Sequence, residues 1–138
     1  MNLGLLMLAA AASTASGQFD LICSGSQTSS SILGEETKPY SVRYRLDLER
    51  NLWCDGECKA THEFAAVLPT QIQFVNKKTD TYSENSTDFQ YVDRETGAHS
   101  VIVTSSDPNN RRSIYNFKWS GQCEKQPFSG FPSFETKF

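Results

Sequence analysis

Between Val42 and Leu48 the chain alternates apolar and charged side chains, with Val42, Tyr44, Leu46 and Leu48 set against Arg43, Arg45 and Asp47. A period of two puts one set on each side of an extended backbone, so this segment reads as a strand with one buried face and one wet face. The pattern returns at Ile72 and Phe74 against Gln71 and Gln73, at Phe89 and Tyr91 against Gln90, and at Tyr115, Phe117 and Trp119 against Asn116 and Lys118. Val101-Ile102-Val103 is apolar throughout and suits a strand covered on both faces. Composition agrees once residues 1–17 are set apart. Of the 41 hydrophobic residues in 18–138, 27 are Val, Ile, Phe, Tyr or Trp and only ten are Ala or Leu, a balance that disfavours a helix bundle.

Turn chemistry lies between these strands. Asp93-Arg94-Glu95-Thr96-Gly97 has an Asp at the turn entry and a Gly where a positive φ is needed, which predicts a hairpin joining Phe89–Val92 to His99–Ser105. Asp107-Pro108-Asn109-Asn110 plays the same part before Ser113–Trp119, and Glu49-Arg50-Asn51 returns the chain after the Val42 strand. Two stretches read as irregular: Ser24–Pro39, strand near Cys23 and loop beyond it, and Lys77–Asp88, a long polar connection. The one helix candidate is Cys58–Val67, where Ala60, Phe64 and Val67 could share a face, in competition with a strand through His62–Val67. The expected architecture is all-β: a single antiparallel meander of roughly 7–8 strands, strongly curved or closed into a small barrel, with a β-sandwich as the alternative. No internal repeat divides it.

Residues 1–17 read as a signal peptide. The apolar run Leu3–Ala12 is of signal-peptide length and too short for a bilayer anchor, and Ala15 and Gly17 satisfy the small-x-small cleavage rule, although no Lys or Arg precedes the run. The remaining 18–138 form a single β domain with a Phe-rich tail over 127–138 and no transmembrane anchor, placing the protein in the periplasm or outside the cell. There an even set of cysteines reads as disulfides. Cys54 and Cys58 enclose only Asp55-Gly56-Glu57, which favours the pair Cys54–Cys58 and leaves Cys23–Cys123 to tie the first strand to the last.

Function is less legible. A net charge of −3 spread over mixed signs lacks the electrostatic footprint of a nucleic-acid binder, and no motif asks for a cofactor. Cys54-x3-Cys58-x3-His62 has zinc-ligand residue types, so a metal site on Cys54, Cys58 and His62 is one alternative to the disulfide. A small hydrolase is another. It would draw on His99 with carboxylates such as Asp47 and Glu49 or Asp93 and Glu95, but no Gly-x-Ser-x-Gly elbow is present, and a hydrogen-bonded structural role suits His99 better. No catalytic residue is therefore named. The candidate binding residues are Tyr115, Phe117 and Trp119, which share one strand face, together with Phe128, Phe131 and Phe134 of the tail. The tail, with two Pro and a Gly, either covers an open end or edge of the sheet or offers an apolar patch. The expectation is a non-enzymatic binding or structural module for a protein partner or a small apolar ligand.

The run Tyr44-Arg45-Leu46-Asp47-Leu48, then Trp53-Cys54 and Cys58, then Asp93-Arg94-Glu95-Thr96-Gly97, then Gly121-Gln122-Cys123, resembles a group of small exported bacterial proteins of unknown function. These motifs are a hairpin turn and disulfide cysteines. The resemblance implies a bacterial, exported setting and carries no activity with it.

Overall fold

The computed structural model describes residues 17–133, without the side chains of 111–113. The segment 1–17 expected to be a signal peptide, apart from Gly17, and Phe134 in the tail lie outside the described residues.

Nine strands follow one another: β1 (Gln18–Ser31), β2 (Gly34–Asp47), β3 (Leu52–Asp55), β4 (His62–Glu63), β5 (Ala66–Val67), β6 (Gln71–Asp80), β7 (Asn85–Asp93), β8 (Ala98–Asp107) and β9 (Asn110–Gln126). They form one antiparallel sheet in the order β4-β3-β2-β1-β9-β8-β7-β6-β5, and no helix occurs among the described residues. Every pairing joins chain neighbours except β1 with β9, which brings the two ends of the domain together. The fold is the expected curved all-β meander, in the form of a strongly curled half-barrel. Its two margins meet in one short stretch. Residues 62–63 pair with β3 (Leu52↔Glu63, Trp53↔His62) and residues 66–67 pair with β6 (Ala66↔Gln73, Val67↔Ile72).

The turns form as their residues dictate. In the β7–β8 turn Gly97 has φ 76°, and Asp93 Oδ1 accepts hydrogen bonds from the amides of Glu95 (2.8 Å) and Thr96 (2.9 Å). The Thr96 amide, then that of Glu95, holds the Asp93 carboxyl below the ordinary carboxylate range. Asn51, with φ 56°, turns β2 into β3.

Three local expectations are corrected. Ser24–Pro39 is not a loop: β1 and β2 stay in register from Gln18↔Asp47 to Ser31↔Gly34, and the Thr28 and Thr37 hydroxyls meet across the pair at 3.0 Å. Much of this ribbon is exposed to water, so its polar residues show no alternation even though its backbone is extended. Lys77–Asp88 is likewise mostly strand, reduced to a turn at 81–84 that Thr81 closes with hydrogen bonds from its amide (2.8 Å) and hydroxyl (3.1 Å) to the Glu84 carbonyl. The helix candidate Cys58–Val67 is extended instead, with Cys58 itself at φ 52°. That backbone conformation cannot propagate a right-handed helix.

Both disulfides form as expected, Cys23–Cys123 between directly opposed residues of β1 and β9, and Cys54–Cys58 across the end of β3. The core lies on the concave side, where Leu21, Tyr44, Leu46, Trp53, Ile72 and Phe74 are buried. On the opposite side the tail folds back over β1 and β2. The buried carboxylate of Asp20 accepts hydrogen bonds from the Ser129 hydroxyl (2.6 Å) and amide (3.2 Å) and from Arg43 Nη1 (2.7 Å), while Arg45 Nη1 donates to the Gly130 carbonyl (2.9 Å).

Candidate functional site

Alternation along β9 sends Tyr115, Phe117, Trp119, Gly121 and Cys123 to one face, the face that carries the core. Phe117 meets Trp119 edge-on at 5.6 Å, and Trp119 stacks on Tyr40 of β2 at 4.6 Å. Exposure rises along this ladder away from the core. Trp119 and Phe117 are half-buried and Tyr115 is 42 % exposed. Register adds a second apolar column, because Val101 lies opposite Trp119 and Val103 opposite Phe117 on β8. On the β1 side the same two rings face Gln27 and Ser29. The result is a concave stripe, apolar along β8 and β9 and polar along β1. Trp119 Nε1 is enclosed there and finds no acceptor in the protein.

Below the ladder sits a buried polar group that depends on two glycines. Cross-strand register lines up Tyr40, Gly25, Gly121 and His99 in one row over β2, β1, β9 and β8. A Cβ on Gly25 would collide with the Ser120 carbonyl, and one on Gly121 with the Ser24 carbonyl and the Tyr40 hydroxyl. With both positions bare, Tyr40 reaches over them and its hydroxyl lies 2.7 Å from His99 Nδ1, while the Tyr44 hydroxyl lies 3.0 Å from Nε2. A neutral imidazole has one donor and one acceptor nitrogen, so one tyrosine donates and the other accepts. Burial lowers the His99 pKa to about 4 and raises those of Tyr40 and Tyr44, the latter helped by the neighbouring Asp55 carboxylate and then by Tyr40. At neutral pH all three groups are uncharged.

This arrangement gives the domain an acid-sensitive point. The folded state holds His99 near 4 against 6.5 for the free side chain, so between these values the unfolded chain binds the extra proton. Stability is flat through this group above about pH 6.5 and falls by about 3 kcal/mol as the pH drops toward 4. Urea unfolding at pH 7 and pH 4, with the His99 ring titrated in parallel by NMR, measures this loss. A His99 that titrates near 6.5 in the folded protein contradicts it.

The remaining candidates fall elsewhere. Phe128 and Phe131 pack edge-on at 5.3 Å on the convex side, with Arg50 over the Phe131 ring, so they are not gathered with the β9 ladder. Cys54 and Cys58 are bonded to each other and present no thiolate, while His62 packs on Trp53 at 4.8 Å. The hydrolase candidates are not hydrogen-bonded to one another: both His99 nitrogens face tyrosines, Asp93 holds turn amides, and Asp47 accepts from Gln18 Nε2 (2.9 Å) and the Arg50 amide (3.1 Å). One group escaped the sequence reading. Cys23, His99 and Cys123 bring their ligand-type atoms within 4.8 Å of one another, but both sulfurs are taken by the disulfide, leaving one imidazole. Only cross-strand register joins these residues, which no local motif announces. A cavity of about 460 Å³ also opens at the sheet margins, with Trp53, His62, Glu63, Phe74, Lys77 and Asp88 in its wall.

Among the described residues, then, the β9 ladder joins one exposed and two half-buried aromatic rings on the face toward which the sheet curls. Comparison of the chain with protein-family models, curated proteins and solved structures finds no match, so the chemistry of this face stands on its own geometry.

Proposed function

We propose that the protein is an exported, non-enzymatic binding module whose concave face takes a small apolar ligand along Tyr115, Phe117 and Trp119. The observation that carries this reading is the ladder itself: rings packed edge-on and stacked, backed by Val101 and Val103, with exposure increasing toward one end. In a closed small barrel such rings would be filler, whereas a half-barrel leaves them a free side. Burying apolar ligand surface on the free side of these rings supplies affinity. The apolar side of a protein partner could use the same face. Export, to the periplasm or beyond the cell, is supported by two disulfides and by the leader-like residues 1–17.

Titration with the apolar fluorophore phenylnaphthylamine tests the reading. The protein should bind it saturably, Phe117→Ser and Trp119→Ala should each weaken binding by about tenfold or more, and Phe128→Ala and Phe131→Ala should leave it unchanged. Equal binding by all four variants would refute the assignment. Phe117→Ser guards against the chance that Trp119→Ala disturbs Tyr40 and the core.

A further inference from the structure

Three hairpin turns, β1–β2, β6–β7 and β8–β9, lie at the same end of the sheet because their strands alternate in direction. The apex of a two-residue hairpin is ordinarily Gly, Asn or Asp, yet Ile32 and Leu33 occupy the first of these turns, 68 % and 95 % exposed. Tyr82 in the second is 87 % exposed, and Ile114 and Tyr115 stand exposed in β9, which begins at Asn110 after the third turn. These positions are one rim. Asn109 Nδ2 donates to the Tyr82 carbonyl at 3.0 Å, tying the second and third turns together, and Leu33 and Tyr115 border a common cleft of about 260 Å³ that links the first turn to the aromatic ladder.

We propose that this rim seats on the surface of a lipid bilayer, so that the mouth of the concave aromatic face opens onto the membrane; the second half of the statement rests on the ligand face proposed above. Separate projecting aliphatic side chains with tyrosines on their shoulders suit a bilayer, where acyl chains surround each one independently and tyrosine favours the headgroup level. A protein interface asks instead for a contiguous packed patch of about 800 Å² per partner. A second copy docked tip to tip would bring Glu35 and Glu36, next to Leu33, against their own counterparts. The charges around the three turns are mixed, Glu35, Glu36, Asp80, Glu84 and Asp107 with Lys38, Lys77, Lys78, Arg111 and Arg112 in the sequence, five of each sign, so the attraction is to the apolar layer and not to anionic headgroups.

Co-flotation of the full protein with phosphatidylcholine vesicles tests this. The wild type should float with the vesicles with little dependence on salt, and Ile32→Ser with Leu33→Ser should cut the partition at least about tenfold while leaving far-UV circular dichroism and vesicle-free phenylnaphthylamine binding unchanged. Tyr82→Ser should give a smaller loss. A wild type that stays with the aqueous fraction, or a double variant that partitions equally, overturns the proposal. So does a dimer in sedimentation that the double variant disperses without any vesicle binding, since the rim would then meet a second copy. Trp119→Ala separates the two readings. It should lose the fluorophore and keep the vesicles, and if it keeps both, the ligand face fails while the rim stands.

Discussion

Replacing Cys23 and Cys123 together by serine should lower the unfolding free energy by about 4–5 kcal/mol. The bridge closes a sequence separation of 100 residues, and the chain-entropy model assigns roughly that stabilisation to a loop of such length. Cys54–Cys58 closes a separation of four, for which the same model gives about 2 kcal/mol. The difference has a structural counterpart. β1 and β9 are the one neighbouring pair that is remote in sequence, so their bridge holds together the two halves of the sheet, whereas the other bridge shapes a loop beside β3. Guanidinium unfolding under non-reducing conditions should place the Cys23/Cys123 double variant well below the Cys54/Cys58 double variant. Equal midpoints would mean that pairing of β1 with β9 does not limit stability.

Gly121→Ala, and Gly25→Ala with it, should be as damaging as loss of that disulfide. The added Cβ meets backbone carbonyls of the opposite strand at both positions, and at Gly121 it also meets the Tyr40 hydroxyl. Backbone atoms in a paired strand cannot step aside as a flexible side chain can, so the β1–β9 spacing must open, and overpacking of this kind costs on the order of 3 kcal/mol or more. The separation would also break the row that lets Tyr40 reach His99, leaving buried polar groups unpaired. Gly56→Ala is the control. No atom lies within reach of a Cβ there, so only its φ of 57° opposes the change, at about 1 kcal/mol. Thermal unfolding of the three variants should separate Gly25 and Gly121 from Gly56. If all three unfold together, the close approach of β1 and β9 is not tight.

Much of this fold was legible because one-sided burial leaves a period of two. Val42–Leu48 and Tyr115–Trp119 each show it, and Asp93–Gly97 shows the chemistry of a tight turn. Ser24–Pro39 was not legible for the complementary reason: much of that ribbon faces water, so the hydrogen-bond ladder holds it with no pattern to mark it. The disulfides could be paired from spacing, but the meeting of Tyr40 with His99 could not. It spans 59 positions in the chain and passes over Gly25 and Gly121, residues whose value lies in the side chain they lack. The candidate site divides along the same line. Alternation puts Tyr115, Phe117 and Trp119 on one face, but only the sheet's curl makes that face concave, and only the fold-back of the tail, held by Ser129 on Asp20, carries Phe128 and Phe131 to the other side.

The most direct test of the ligand face is a map of amide and indole NMR shifts as phenylnaphthylamine is added to the isotope-labelled protein. The perturbations should be saturable and should centre on Phe117, Trp119 with its Nε1–H, Val101 and Val103. Changes confined to Phe128, Ser129 and Phe131 on the convex side, or none that saturate, would contradict the assignment of the concave stripe as the binding surface.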